Sequence, residues 1–356
     1  MNKKKDKFVT TGKSFKLKNV CFEDIDDIYD IEEKEQSKTF RRTYEKGENS
    51  QKNDLILKRG RITEMRTNYS YTVNIEGQDY PCSLSGRLKY LDYETHNPVC
   101  VGDYVNIDIH EKDNYRVEEI LSRKNGLSRF INSANMQKEI MIVSNVDQII
   151  ITNSCADPVF NPGLIDRYIC MAEIYGIDAV VCINKTDLAE DLDYIKEVCR
   201  YYEENGYPVI FTSSHLKQGI EQLKEILRDK DSVFTGHSGT GKSSIINILE
   251  PNLNLKVGEI SDMHRKGQHT TTTSKMIKWS FGGHLIDTPG IKTLGLSNNH
   301  KGLIPSHFPG FTKLYEQCYF QNCSHTHEEH CAVLELLGDK IPQDRYDSYL
   351  RIMESL

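Results

Sequence analysis

Gly236-His237-Ser238-Gly239-Thr240-Gly241-Lys242-Ser243 fits the spacing G-x-x-x-x-G-K-[ST]. A short apolar run at 232–235 precedes it and a helical pattern at 244–249 follows, the strand–loop–helix setting that a phosphate-binding loop requires. Glycines let consecutive backbone N–H groups turn around a β-phosphate, and the helix presents its positive end to the same anion. In that arrangement the backbone from Gly236 to Ser244 cradles the phosphates. Lys242 reaches the β- and γ-phosphates, and the Ser243 hydroxyl binds Mg²⁺. A chance glycine turn would not carry both flanks.

The neighbouring loops extend this reading to a nucleotide. Asp287-Thr288-Pro289-Gly290 closes an apolar run at 284–286. D-x-x-G alone is an ordinary turn. After a phosphate loop and at the end of a strand, Asp287 can hold Mg²⁺ through water and the Gly290 N–H can meet a γ-phosphate. Asn184-Lys185-Thr186-Asp187 closes the run at 179–183. The Asp187 carboxylate can accept from guanine N1–H and from the exocyclic amine. Adenine has an acceptor at N1 and no such amine, and charge-assisted hydrogen bonds worth roughly 1.5–3 kcal/mol each make that difference decisive. The plain alternative for Asp187 is a helix N-cap. Thr212-Ser213-Ser214 ends the next strand and could support the base through backbone N–H groups. Gly267-Gln268-His269-Thr270-Thr271-Thr272 lies between the phosphate loop and Asp287. A threonine there can complete the Mg²⁺ shell; spacing does not select one, and Thr271 is taken here.

The order of these loops is rearranged. An ordinary GTPase runs phosphate loop, switch threonine, D-x-x-G, N-K-x-D, then the base-supporting loop, whereas here the last two come first. All five fall at the C-terminal ends of strands, where open α/β sheets bind ligands, so a circular permutation leaves the site intact. The position after the D-x-x-G glycine, which as glutamine orients the attacking water, is Ile291. A neutral His269 imidazole is the nearest polar group able to orient water near pH 7. The competing role for His269 is contact with phosphate or RNA alone.

Outside this domain, Cys318-x4-Cys323-x-His325-x5-Cys331 offers three thiolates and one imidazole, matching a closed tetrahedral, structural Zn²⁺ site. His327 and His330 are nearby substitutes for the histidine ligand. The other cysteines are scattered, which fits a reducing cytosol rather than a disulfide framework. Five short strand patterns between 61 and 121 indicate a small β-barrel of OB or SH3-like type. Residues 1–54 are polar and charge-blocked and read as a flexible extension with a short helix near 25–31. The expected divisions are 1–54, a barrel over 55–125, the permuted nucleotide domain over 126–300 and a zinc-binding helical region over 301–356. No apolar stretch is long enough to span a membrane. The net charge of −7 excludes a uniformly basic nucleic-acid binder and leaves local patches, Lys3 to Lys18 and Lys58-Arg59-Gly60-Arg61.

Taken together, the chain resembles the circularly permuted, ribosome small-subunit-dependent GTPases of bacteria, the RsgA (YjeQ) type. The resemblance spans about 57–350. It rests on Arg61-Ile62-Thr63-Glu64, Ser85-Gly86-Arg87, Val101-Gly102-Asp103-Tyr104, Asn145-Val146-Asp147, the permuted loops, His269-Thr270-Thr271, Leu294-Gly295-Leu296 and the Cys/His cluster. It implies an N-terminal OB domain, a central G domain, a zinc-containing C-terminal domain, and a cytoplasmic, monomeric GTPase. Its implied partners are the 30S subunit and its 16S rRNA, with a role in late maturation of that particle and GTP hydrolysis stimulated by it. The resemblance also points to His269 as the hydrolytic residue. Departures are Gln268 where arginine is frequent and Thr240 where valine is usual, and Thr212-Ser213-Ser214 is only loosely like the family's base-supporting loop. Two rival readings are an RNA-binding module with a degenerate G domain and an ATP-using P-loop enzyme. Intact Lys242, Ser243, Asp187 and Asp287 speak against the first, and Asp187 against the second.

Overall fold

The computed structural model describes residues 55–66, 70–89, 98–133, 136–253, 274–287 and 295–356. The extension 1–54, with its expected helix and Cys21, and the loop at 267–272 lie outside the described residues.

Five strands make the barrel: β1 (Leu57–Arg66), β2 (Ser70–Ile75), β3 (Gln78–Leu84), β4 (Tyr104–Asp108) and β5 (Tyr115–Ile120). Alternation sends Ile62, Val73, Val105, Ile107 and Val117 fully inside. β1 pairs antiparallel with both β2 and β4, and β3 pairs parallel with β5. The closed order 1-2-3-5-4-1 is that of an OB barrel, which separates it from the SH3-like alternative. The helical turn α1 (Gly86–Lys89) follows β3.

A hairpin that the sequence reading did not anticipate comes next, β6 (Gly126–Ser133) and β7 (Met136–Ser144), forming its own two-stranded sheet. The nucleotide domain then follows as β8 (Gln148–Ser154), α2 (Pro162–Ile174), β9 (Asp178–Asn184), α3 (Leu192–Glu204), β10 (Val209–Phe211), α4 (Ile220–Leu227), β11 (Asp231–Thr235), α5 (Lys242–Leu249), β12 (Ser274–Lys278) and β13 (His284–Asp287). Its strand order is β10-β9-β8-β11-β13-β12, parallel except for β12. Every residue of β8 is buried, as a central parallel strand covered on both faces demands. Ile149 and Ile151 pack with Ile165 and Ile169 of α2 and Tyr202 of α3. Ile150 joins Leu223 of α4 and Ile245 of α5 on the opposite face. β12 ends at Lys278, and the chain turns at Gly282 and Gly283, both with positive φ. α2 begins at Pro162, where the Asn161 side chain caps it by accepting from the Leu164 N–H at 3.2 Å.

A strand pairing and an ion pair are among the contacts that join barrel and nucleotide domain. β1 pairs with β12, with Glu64 opposite Lys275 and Met65 opposite Ser274, so both sheets become one of eleven strands. Arg61 forms an ion pair with Asp231 at the start of β11 and donates to the Asn145 carbonyl at 3.0 Å. Asp231 also binds His284 Nδ1 at 2.7 Å, at the start of β13.

The C-terminal region carries α6 (Ile304–His307), α7 (Thr312–Tyr315), α8 (Ala332–Glu335) and α9 (Gln343–Glu354). α9 packs on α2, where buried Arg345 donates to Asp166 Oδ2 at 2.6 Å and to the Tyr202 hydroxyl at 2.8 Å. A buried pair of this kind adds little net stability, because desolvation of both charges offsets their attraction.

Candidate functional site

The phosphate loop leaves β11 beside β8, where neighbouring strands run to opposite ends of the sheet order, the place at which such sheets open a ligand crevice. Gly236 has φ +127°, and a Cβ there would lie 2.0 Å from the Thr152 carbonyl oxygen of β8, so only glycine lets the loop leave the sheet this closely. Gly241 has φ +92°, and a Cβ there would lie 2.2 Å from Asn184 Nδ2. Lys242 and Ser243 open α5 and are buried, with Ser244 following them. The Lys242 ammonium donates to the carbonyls of Gly236 at 2.8 Å and His237 at 2.7 Å, which aims it into the concavity of the loop. His237 is exposed, its Nδ1 2.9 Å from the Ser238 carbonyl oxygen.

The loop expected to read the base is built against the glycine-rich loop. Asn184, the last residue of β9, donates from Nδ2 to the Thr240 carbonyl at 2.9 Å. Its Oδ1 accepts from Thr212 Oγ1 at 3.1 Å, from Ser214 Oγ at 3.0 Å and from Ser214 N–H at 3.2 Å. One amide therefore clamps three loops. Lys185 takes a left-handed backbone, φ +61°, and its ammonium donates to the Asp157 carbonyl. Thr186 N–H and Oγ1 both donate to the Thr212 carbonyl, at 3.2 and 3.1 Å. Asp187 lies in the 3-10 turn Thr186–Leu188, exposed, with Oδ1 accepting from the Ser213 hydroxyl. That hydrogen bond, helped by His215 and Lys185, holds the Asp187 carboxyl below its usual range, so it is ionised at neutral pH.

The loop at 212–214 holds other residues in place. The Thr212, Ser213 and Ser214 N–H groups donate to Ile183 O, Gln218 O and Asn184 Oδ1, so all three are satisfied within the protein. What the loop presents is hydroxyls that fix Asn184 and Asp187. Asp287 ends β13, whose parallel register sets Ile286 opposite Val233 and so brings the aspartate beside the strand that feeds Gly236. His269, Thr271 and Gly290 lie outside the described residues.

Sequence reasoning missed the loop after β8, which carries no recognisable motif. The Cys155 N–H donates to the Asn184 carbonyl at 2.9 Å, and Pro158 lies 3.4 Å from where a Gly239 Cβ would be. It also missed the Arg61–Asp231–His284 cluster, because nothing in the spacing of those three residues marks it.

In the C-terminal region, the donor atoms of Cys318, Cys323, His325 and Cys331 all lie within 4.8 Å of one another. His325 Nδ1 is 3.2 Å from Cys331 Sγ and 3.7 Å from Cys318 Sγ. His325 Nε2 lies 3.1 Å from the Pro305 carbonyl oxygen; donating there fixes the tautomer and leaves Nδ1 as the ligand atom. Burial pushes the Cys323 and Cys331 thiols up and His325 down. The group can hold a metal ion. The substitutes considered for its histidine are engaged elsewhere: His327 Nδ1 is 2.8 Å from Thr326 Oγ1, and His330 packs on the Tyr319 ring.

A glycine-rich loop opening a helix and an N-K-x-D turn at the C-terminal edge of one sheet, in rearranged chain order between an OB barrel and a Cys/His cluster, are the arrangement of a circularly permuted GTPase. Residues 120–297 match the family model described as RsgA GTPase, and the chain belongs to that family. A Flavobacterium johnsoniae protein named small ribosomal subunit biogenesis GTPase RsgA is 39% identical over 292 residues, covering 80% of this chain and 89% of its own length. Small ribosomal subunit biogenesis GTPase RsgA 2 of Bacteroides thetaiotaomicron is 36% identical, over 78% and 91% of the two chains. Among solved structures, YjeQ from Thermotoga maritima superposes with a TM-score of 0.66 at 31% identity, covering 85% of this chain and 99% of its own. YloQ, a circularly permuted GTPase, gives 0.65 at 27% identity, covering 86% and 97%.

Proposed function

We propose that this GTPase binds the small (30S) ribosomal subunit through its 16S rRNA, assists late maturation of that particle, and hydrolyses GTP to GDP and phosphate with stimulation by it. The observation that carries the nucleotide half is the Asn184 clamp, which ties the base-reading turn to the Thr240 carbonyl of the phosphate loop. It supports a pocket shaped for base and phosphates together. The ribosomal half rests on family membership and on the names of the relatives.

In this reading Asp187 selects guanine, with Asn184, Lys185, Thr186, Thr212 and Ser213 shaping its loop. The backbone of Gly236 to Ser244 and the Lys242 ammonium bind the phosphates. Ser243, Asp287 and Thr271 would hold Mg²⁺, which would supply neutralisation of phosphate charge. Gly290 meets the γ-phosphate and His269 orients the attacking water. Three soft thiolates and an imidazole closing four positions suit a structural Zn²⁺ on Cys318, Cys323, His325 and Cys331. The divisions are the extension 1–54, the OB domain 55–125, the G domain 126–300 and the zinc-binding domain 301–356, in a monomer working in the cytoplasm. Among the described residues no helix is long and apolar enough to cross a membrane.

GTP turnover measured with and without purified 30S subunits, beside co-sedimentation in GTP-analogue and GDP states, tests this. Stimulated turnover and nucleotide-dependent binding are expected. Unstimulated turnover with no co-sedimentation in either state rejects the ribosomal half alone.

A further inference from the structure

We propose that Thr240 is a positioning residue for phosphate binding, its hydroxyl fixing the His237 carbonyl that aims the Lys242 ammonium. This rests on the guanine-nucleotide reading above.

Thr240 is only 1% exposed and stands between Gly239 and Gly241, both with positive φ. Its Oγ1 donates to the His237 carbonyl at 3.0 Å. The Lys242 ammonium donates to that same oxygen at 2.7 Å. A carbonyl oxygen has two lone pairs, so one acceptor serves both donors. Lysine is a point charge on a flexible four-carbon stem, so its acceptors decide where the charge sits. One of those acceptors belongs to His237, an exposed residue on a glycine-rich loop. The Thr240 hydroxyl pins that carbonyl from inside the loop, and its β-branched side chain has few rotamers to lose in doing so.

The other end of Thr240 serves a separate purpose. Its backbone carbonyl accepts from Asn184 Nδ2 at 2.9 Å. A backbone group survives substitution, so Thr240→Val keeps the clamp to the base-reading loop. Valine also keeps the β-branched shape and removes only the donor. The effect of Thr240→Val is therefore confined to the phosphate end of the pocket, and Thr240→Ser restores it.

The experiment measures affinity for a fluorescent N-methylanthraniloyl GDP, with unlabelled GDP and IDP as competitors, on the full chain and both variants. IDP lacks the exocyclic amine that Asp187 reads, so the GDP-to-IDP ratio reports the base pocket alone. Thr240→Val is expected to weaken GDP binding about three- to tenfold, the size of one net hydrogen bond, with Thr240→Ser within about twofold of the parent. The GDP-to-IDP ratio stays unchanged. Parental affinity in Thr240→Val, equal loss in Thr240→Ser, or a collapsed GDP-to-IDP ratio each overturns the proposal while leaving the guanine reading standing. Failure of the parent chain to bind the probe overturns both.

Discussion

In the nucleotide pocket, the side chains that would surround a ligand already have protein partners. Asn184 is held on three sides, Lys242 by two carbonyls and Asp187 by Ser213. In the C-terminal centre, by contrast, four donor atoms crowd together and burial works against the thiolate form of Cys323 and Cys331. A pocket braced by many hydrogen bonds loses function when one group is removed but keeps its shape. A cluster of buried thiols is held together by the cation it binds, and losing one ligand loses the cation and the local fold with it.

The sharpest separation of the two regions should come from Cys323→Ser. The parent chain should carry about one Zn²⁺, by the four-ligand stoichiometry. The variant should carry none and unfold locally after residue 300, while GTP binding survives. Metal analysis with proteolysis of both proteins reads this, and zinc-free native protein would remove the basis of the contrast. Next in size, Asp187→Asn should weaken GTP binding about 10²–10⁴-fold through two lost charge-assisted bonds, with the fold intact. Binding of xanthine nucleotide should improve relative to GTP, because an amide reverses the donor–acceptor pattern. Unchanged GTP affinity in titration calorimetry would place the base elsewhere.

A smaller loss is expected for His269→Ala: about 10²-fold in 30S-stimulated kcat, with GTP affinity within about a few-fold. Measuring kcat at saturating 30S separates catalysis from docking. Full turnover per bound particle shows that His269 is not hydrolytic, and a fall in 30S affinity alone makes it a docking contact. The mildest change should be Ser213→Ala, about tenfold or less in GDP affinity at pH 7. Its signature is pH dependence. The Asp187 pKa is lowered chiefly by Ser213, so guanine binding is full above that pKa and lost as pH falls through it. Removing the hydroxyl raises the pKa and moves the acid loss to higher pH, toward the ordinary value of about 4. Coincident acid profiles for parent and variant would mean that Ser213 does not tune the carboxylate.

The sequence by itself carried the local patterns on which the proposed chemistry of this protein rests. Gly236 to Ser243, Asn184 to Asp187, Asp287 and the Cys/His spacing are local patterns, each fixed by the few residue types able to wrap a phosphate, read guanine or bind a soft cation. Strands β9 and β11 were legible for a similar reason, since a parallel strand covered on both faces is a continuous apolar run. Tertiary structure decided what depends on residues far apart in the chain. The choice of an OB barrel came from the β3–β5 and β1–β4 pairings, which leave no mark in the strand patterns themselves. The reach of β1 across to β12, and of Arg61 to Asp231 170 residues away, joins barrel to nucleotide domain through backbone pairing and one ion pair. In sequence Thr240 stands out only as a departure from the usual valine. Only the placing of its hydroxyl 3.0 Å from the His237 carbonyl gives it work, because a hydrogen bond is specified by distance and direction, neither of which residue spacing contains.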